Sequence, residues 1–501
     1  MRPTTEIRET RPVLWFAANV MASVEETDVV IVGAGISGIA MARQIAADHP
    51  GLSYIVLESR ERIGGTWDLF RYPGIRSDSG MGTFSYSFRP WTGNRHFGSG
   101  TEIREYLEET AAEYGIDRHI RFGQRVLAAD WESETSRWTV TCQGPDSEQQ
   151  IRCRFLVGCT GYYRYDRGYT PQFEGEENFA GDLFHAQHWP EGLEVRDRNV
   201  VVVGSGATAI TVVPALTEAG ARVTMLQRSP TYVVSVPNHD SVGEMLRRFL
   251  SRRRAAWLVR WVGVLTEIVQ FQMARRFPDF TRRLFISGAR KQLPEGFDKR
   301  HLNPRYDPWI QRVCFAPDGD YFAAISSGEA RIETGNIERI DRDRIHLREG
   351  GEVEADVIVK ATGLDLLIFG EIKMTVDGRP VNPPDHLVYK GAMLSGVPNF
   401  VFVVGYTNAS WTLKSELIAR FASRFIATVE KRGAGGGTPI APAGPIPTTP
   451  LLNLESGYIQ RATDRLPLAG DKSPWTLHMN YFADRRELLR GDLEDGAIHF
   501  D

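Results

Sequence analysis

Cysteine is scarce in this chain. Four thiols, Cys142, Cys153, Cys159 and Cys314, are spread over 501 residues with neither a C-x-x-C pair nor metal-ligand spacing, which argues against a dithiol redox centre and a structural zinc site. They read as small apolar residues in a reducing cytosol, so the expected localisation is cytoplasmic. Long apolar runs are missing too. Arg260 and Glu267 interrupt the longest candidate, and no segment reads as a spanning helix. The N-terminus lacks a basic-then-apolar signal pattern, and residues 1–24 read as an irregular extension whose first 20 residues are expected to be dispensable. Neither sign of charge dominates. With 59 Lys+Arg against 63 Asp+Glu and a net charge of -4, nothing recommends nucleic acid as a partner, and a small molecule is expected.

What is present is a duplicated glycine pattern. "DVVIVGAGISGIAMARQIAADHPGLSYIVLE" opens with a strand-like apolar run, turns through Gly33, Gly35 and Gly38, continues with helical spacing, and ends a second strand in Glu58. Glycines permit a tight turn and close approach of a pyrophosphate, a helix N-terminus offers free N–H groups, and an acid at the next strand end accepts ribose hydroxyls. "NVVVVGSGATAITVVPALTEAGARVTMLQRSP" repeats the pattern with Gly204, Gly206 and Ala209. Pro214 within this second helix is expected to bend it. Here the strand ends in Gln227, Arg228 and Ser229. A guanidinium and a hydroxyl at that place favour a ribose bearing a 2'-phosphate, so the second site is expected to prefer NADP.

Each half returns through an apolar strand ending in Thr-Gly, "FLVGCTG" near Gly161 and "VIVKATG" near Gly363. The fold class expected is therefore α/β, with two Rossmann-like dinucleotide-binding domains, for FAD and NADP, and a helical insertion. The expected division is an extension over 1–24, an FAD-binding domain over 25–161 and 373–501, and an NADP-binding domain over 162–236 and 301–372. The insertion occupies 237–300. Its Arg-, Leu-, Trp- and Phe-rich sequence reads as helices covering a substrate cavity with a solvated basic face. The competing reading is a basic amphipathic face resting peripherally on a membrane.

Between the glycine turns, "FAGDLFHAQHWP" fits F-x-G-x-x-x-H-x-x-x-W-P through Phe179, Gly181, His185, Trp189 and Pro190, and "GGTWDLFRYPGIRSD" adds Gly65, Trp67, Tyr72, Pro73, Gly74 and Asp78. From Asp28 onward the chain resembles the type I Baeyer-Villiger monooxygenases, class B flavoproteins. It is most similar to the ethionamide-activating branch, in whose style "TGYY", "LQRSPTY", "NPRYDPW" and "VGYTNASWTLK" are also written. The resemblance implies FAD and NADPH as cofactors, dioxygen and a ketone or sulfide as substrates, and conversion of ketones to esters or lactones through a peroxyflavin. Sulfoxidation is the expected side activity.

The resemblance further implies that Ser37, Glu58, Thr66, Trp67, Asp78 and Val126 contact FAD, and that Arg76, Ser77, Ser205, Gly206, Ala207, Thr208, Arg228 and Ser229 contact NADP. It gives His185 and its motif a hinge role, makes Arg312 the catalytic arginine, and has Asp78 orient it by a charge-assisted hydrogen bond. Many relatives carry Lys directly before that arginine, but this chain has Gln311, which leaves Arg228 more heavily responsible for cofactor choice. Trp475 is a candidate for a mobile closing segment, with a core tryptophan as the competing reading. An N- or S-oxygenating flavin monooxygenase is the alternative function, although its motif normally closes with Tyr-Lys. A flavin disulfide reductase lacks its cysteine pair here, and an NADP-sensing protein without catalysis is the remaining alternative.

Overall fold

The computed structural model describes residues 24–444, 446–452 and 457–501. The expected extension lies outside the described residues, apart from Val24. The first glycine pattern folds as read: strand Glu25–Val32, helix Ile36–Asp48 and strand Tyr54–Leu57. Strand Glu25–Val32 pairs in parallel with Tyr54–Leu57 on one side and with Glu148–Gly158 on the other. Phe400–Phe402 continues the parallel sheet beyond Glu148–Gly158. The run "VVIV" is continuously apolar because both faces of the sheet are covered. Val29 and Ile31 point into a core shared with helices Ile36–Asp48 and Trp411–Arg432. Val30 and Val32 point into a second core with Trp131, Trp138 and Phe400. Residues more than 350 positions apart thus complete one sheet.

The second unit is a five-stranded parallel sheet ordered Ala330–Thr334, Arg222–Gln227, Asn199–Val203, Val357–Lys360, Asp182–His185. Helices Ala207–Glu218 and Asp320–Ser326 cover one face, and an antiparallel meander, Ile337–Ile340, Arg344–Leu347 and Glu352–Glu354, covers the other. Helix Ala207–Glu218 runs through Pro214 without ending. The motif segment becomes the edge strand of this sheet, Asp182–His185.

The two passages of chain between the units lie side by side. Tyr163 and Leu366 form an antiparallel bridge, the Arg164 N–H donates to the Asp365 carbonyl at 2.9 Å, and the Leu367 N–H donates to the Tyr162 carbonyl at 3.0 Å. His185 adds a stitch by its Nε2, 3.0 Å from the Gly363 carbonyl.

The insertion forms helices Ser241–Phe249, Arg252–Arg276 and Pro278–Arg290. The long helix crosses the short turn Met81–Phe84 at close range: a Cβ on Gly263 would lie 2.7 Å from Thr83 Cγ2, and one on Gly82 2.8 Å from Val259 Cγ1. Glycine at both positions lets the backbones approach. No helix among the described residues is long and apolar enough to cross a membrane.

Candidate active site

A cleft of about 570 Å³ opens between the units. The two glycine turns that face each other there have the same internal construction. Gly33 has φ +106°, and its N–H donates to the Leu57 carbonyl at 2.8 Å. Gly204 has φ +144°, and its N–H donates to the Leu226 carbonyl at 2.9 Å. A Cβ on Gly33 would sit 2.6 Å from the Cys159 carbonyl oxygen, and one on Gly204 2.2 Å from that of Ala361. Those carbonyls precede the two Thr-Gly pairs, so the duplication extends to individual backbone contacts. Gly38 has its own steric requirement, because a Cβ there would fall 1.8 Å from the Gly33 carbonyl oxygen.

The middle glycines differ in kind. A Cβ on Gly35 would meet nothing nearer than 3.6 Å, and one on Gly206 nothing within 4 Å. Both lie at helix N-termini without a capping side chain, so the space beside them suits a pyrophosphate. Glu58 is buried at the first turn, where its Oε2 accepts from the Ala34 N–H at 2.7 Å and its Oε1 from the Arg60 N–H at 2.9 Å. Burial pushes its pKa up, against the pull of these bonds. Oε1 also accepts from Ser59 Oγ at 3.3 Å, and Oε2 keeps a lone pair for a ribose hydroxyl. These features fit an FAD in the first unit.

Of the positions singled out in the sequence, Gly33, Gly35, Ser37, Glu58, Gly65, Thr66, Trp67, Arg76, Ser77, Asp78, Val126, Ala207, Thr208 and Arg312 line this one cleft. Gly204, Ser205, Gly206, Arg228 and Ser229 sit at the second turn and the adjoining strand end, where Ser205 Oγ donates to the Ser229 carbonyl at 2.9 Å. Arg228 is exposed, available to a phosphate from solvent. Arg76 is engaged by an ion pair with Asp320.

The motif residues stand apart from the cleft. Trp189 packs edge-on against Phe184, with ring centroids 5.1 Å apart. Gly181 is forced by the Asp356 carbonyl oxygen, which would lie 2.1 Å from a Cβ. Phe179 packs on the meander core, and Pro190 is half-buried. His185 Nδ1 accepts from the Gln187 N–H at 3.1 Å, so the proton rests on Nε2 and is donated to Gly363. Trp475 is a core residue, 5% exposed and edge-on to Tyr389. This placement matches the reading of Trp475 as a core tryptophan.

A second cavity of about 420 Å³ lies under the long insertion helix. Arg312, Asp78, Ser79, Phe315 and Ala409 line both spaces. At this partition Arg312 Nη2 donates to Asp78 Oδ1 at 2.9 Å. Burial opposes the guanidinium charge, but the Asp78 carboxylate beside it outweighs this and raises the pKa further. The cation is therefore permanent. On the cleft side Tyr162 stacks on Trp411 at 4.9 Å, and Trp411 Nε1 donates to Ser37 Oγ at 2.9 Å.

Glu267 is the residue that the sequence left without a role. Its Oε1 accepts from Thr83 Oγ1 at 2.6 Å and its Oε2 from the Ser410 N–H at 3.2 Å, at the wall of the second cavity. Burial pushes its pKa up, against these two bonds and the charges of Arg260 and Arg312. The only signal was an acid alone in an apolar helix.

The family model described as pyridine nucleotide-disulphide oxidoreductase matches residues 30–242, the span holding both glycine turns. The FAD-containing monooxygenase EthA of Mycobacterium tuberculosis is 47% identical over 478 residues, covering 95% of this chain and 98% of that protein. The chain belongs to the FAD-containing monooxygenases. A probable FAD-binding monooxygenase, AlmA, of an Acinetobacter species is 42% identical over 481 residues, covering 95% of this chain and 96% of the relative. Among solved structures, an oxidized steroid monooxygenase bound to NADP aligns with a TM-score of 0.75 at 24% identity, over 95% of this chain and 99% of that one. Cyclohexanone monooxygenase from Rhodococcus sp. Phi1 bound to NADP+ gives 0.75 at 21% identity, over 96% and 100%. The chain is thus an FAD-containing monooxygenase, and it shares the fold of these two NADP-bound structures. Disulphide chemistry has no seat in it, since all four cysteines are free and buried.

Proposed function

We propose that this monooxygenase inserts oxygen beside the carbonyl of apolar ketones, giving esters or lactones, and oxidises sulfides as a side reaction. The observation that carries the reading is a permanent cation, Arg312, fixed by Asp78 where the cofactor cleft meets a second, largely apolar cavity. FAD and NADPH, when bound, would supply the reducing equivalents, and dioxygen would supply the inserted oxygen atom, its second atom leaving as water.

In this reading Gly33, Gly35, Gly38, Gly65, Ser37, Thr66, Trp67 and Val126 shape the FAD cradle, with Glu58 accepting from the ribose hydroxyls. Gly204, Gly206, Ser205, Ala207, Thr208, Arg76 and Ser77 line the NADP side, and Arg228 with Ser229 takes the 2'-phosphate. Arg312 stabilises the oxyanion that develops on the substrate carbonyl, and Asp78 holds the guanidinium plane in register. Water is kept out by the Tyr162, Tyr163 and Trp411 wall. We assign the FAD-binding domain to 25–161 and 373–501, the NADP-binding domain to 162–236 and 301–372, and the insertion to 237–300. Four buried thiols and the need for NADPH favour a cytoplasmic setting.

The test is to purify the yellow protein, follow NADPH oxidation against ketones, sulfides and amines, and identify products. Ester formation that exceeds sulfoxide and N-oxide formation supports the reading. Sulfoxides or N-oxides without ester would replace it by heteroatom oxygenation.

A further inference from the structure

The insertion helices keep an apolar surface that nothing in the described chain covers. Ten of the fifteen large apolar side chains exposed among the described residues fall between Val242 and Leu284, with Phe249 82% exposed. On the long helix Trp257, Leu265 and Val269 are exposed along one side, and Trp261 between them is half-buried against Tyr481 and Phe482. Val264, Glu267 and Ala274 face the protein from the other side. A helix on a water-exposed surface normally turns polar residues outward. This one is apolar in both directions, and an exposed apolar patch of this kind marks an interaction site.

Its charge names the partner. Residues 241–290 hold eleven arginines against three acids, a net of +8 within a chain of net -4. Arg247, Arg248, Arg260 and Arg282 are engaged by carboxylates. Arg252, Arg253 and Arg254, and likewise Arg275, Arg276, Arg283 and Arg290, are exposed and have no carboxylate partner among the described residues. The first three open the long helix, where the macrodipole is already positive and cations are unfavourable. An anionic partner removes that penalty. Cations at both ends of an apolar stripe fit an interfacial helix that lies in the plane of a bilayer.

We propose that this face docks on an anionic lipid bilayer. The apolar stripe enters the boundary between headgroups and acyl chains, and the arginines meet lipid phosphates. Val242 and Val262, two of the exposed apolar residues, also line the second cavity, so that cavity opens beside the docked surface. This entry route for a lipophilic substrate rests on the ketone reading above. The docking itself does not.

The experiment is flotation of the purified holoenzyme with vesicles of phosphatidylcholine alone or of equal parts phosphatidylcholine and phosphatidylglycerol. The expected result is flotation with the anionic vesicles and release by high salt. A Trp257→Glu/Leu265→Glu variant, and separately an Arg252→Gln/Arg253→Gln/Arg254→Gln variant, should bind at least about tenfold more weakly. Flavin content and NADPH oxidation in solution should be unchanged in both. Equal flotation with the two vesicle types, absence of flotation, or full binding by both variants overturns the proposal. So does a concentration-dependent dimer in sedimentation that Trp257→Glu/Leu265→Glu abolishes, which would make the face an interface between two copies.

Discussion

Arg312 and Asp78, 234 residues apart in sequence, meet through a single hydrogen bond of 2.9 Å where two cavities touch. Asp78 belongs to the segment that follows the first glycine turn, and Arg312 to the segment that re-enters the second unit. Neither residue alone defines the site.

Replacing the guanidinium should therefore separate the two halves of the reaction. Arg312→Ala is expected to keep NADPH binding and NADPH oxidation, while ketone oxygenation falls by on the order of a hundredfold or more. Hydrogen peroxide should appear in place of ester. Arg312→Lys should rescue poorly, because a shorter point-charge ammonium bonded to Asp78 cannot also present the guanidinium's remaining N–H donors to the cavity. Parallel assays of NADPH, peroxide and ester decide it, and ester at the parental rate from Arg312→Ala would remove the residue from the mechanism.

The two glycines of the second turn should fail differently. Gly206→Val meets no protein atom within 4 Å at its Cβ, so melting temperature and flavin loading should hold while NADPH binding is lost. Gly204→Ala places a Cβ 2.2 Å from the Ala361 carbonyl oxygen at φ +144° and should destabilise the fold by about 1–3 kcal/mol or more. Calorimetry together with NADPH titration separates the two. Similar behaviour of both variants would contradict the cradle.

Arg228→Ala should weaken NADPH binding by about 1.5–3 kcal/mol, the worth of a hydrogen bond to a charged group, and leave NADH nearly unchanged. Titration of both cofactors measures the difference directly. Equal losses would place the 2'-phosphate elsewhere.

His185 gives the protein an acid-sensitive stitch. Burial, opposed by the Gly363 bond, holds its pKa below the usual 6.5. The unfolded chain then takes up the proton first. Stability should be intact above about pH 6.5 and decline as the pH falls from there toward the lower folded value. Thermal unfolding between pH 5 and 7 should show a flatter acid limb for His185→Gln. An unchanged limb would assign the sensitivity to other groups, of which His96 and His301 are also depressed by burial.

Local chemistry was readable from sequence; assembly across distance was less so. Gly33, Glu58, Gly204 and the strands around them follow from spacing, because a tight turn between strand and helix leaves few solutions. The Arg312–Asp78 pair came only through family resemblance, since spacing says nothing about contacts 234 residues long. Glu267 was hidden because its partners, Thr83 and Ser410, come from two other parts of the chain. That the motif segment pairs as a sheet edge was not legible either. "DLFH" is short, and its pairing with Val357–Lys360 is set by a segment more than 170 residues away. Trp475 was ambiguous for the same reason, its neighbour Tyr389 lying far upstream.

The paired passages at Tyr162–Arg164 and Asp365–Leu367 restrict how the two nucleotide units can move. A single strand would let one unit swivel freely on the other, but a two-ply ribbon flexes across its thin direction and resists torsion. Rotation across the thin direction, which would widen or narrow the cleft, is the motion such a connection resists least. Asp78 precedes that connection in the chain and Arg312 lies between its two passages, so the connection helps to set the register in which the cation meets its carboxylate.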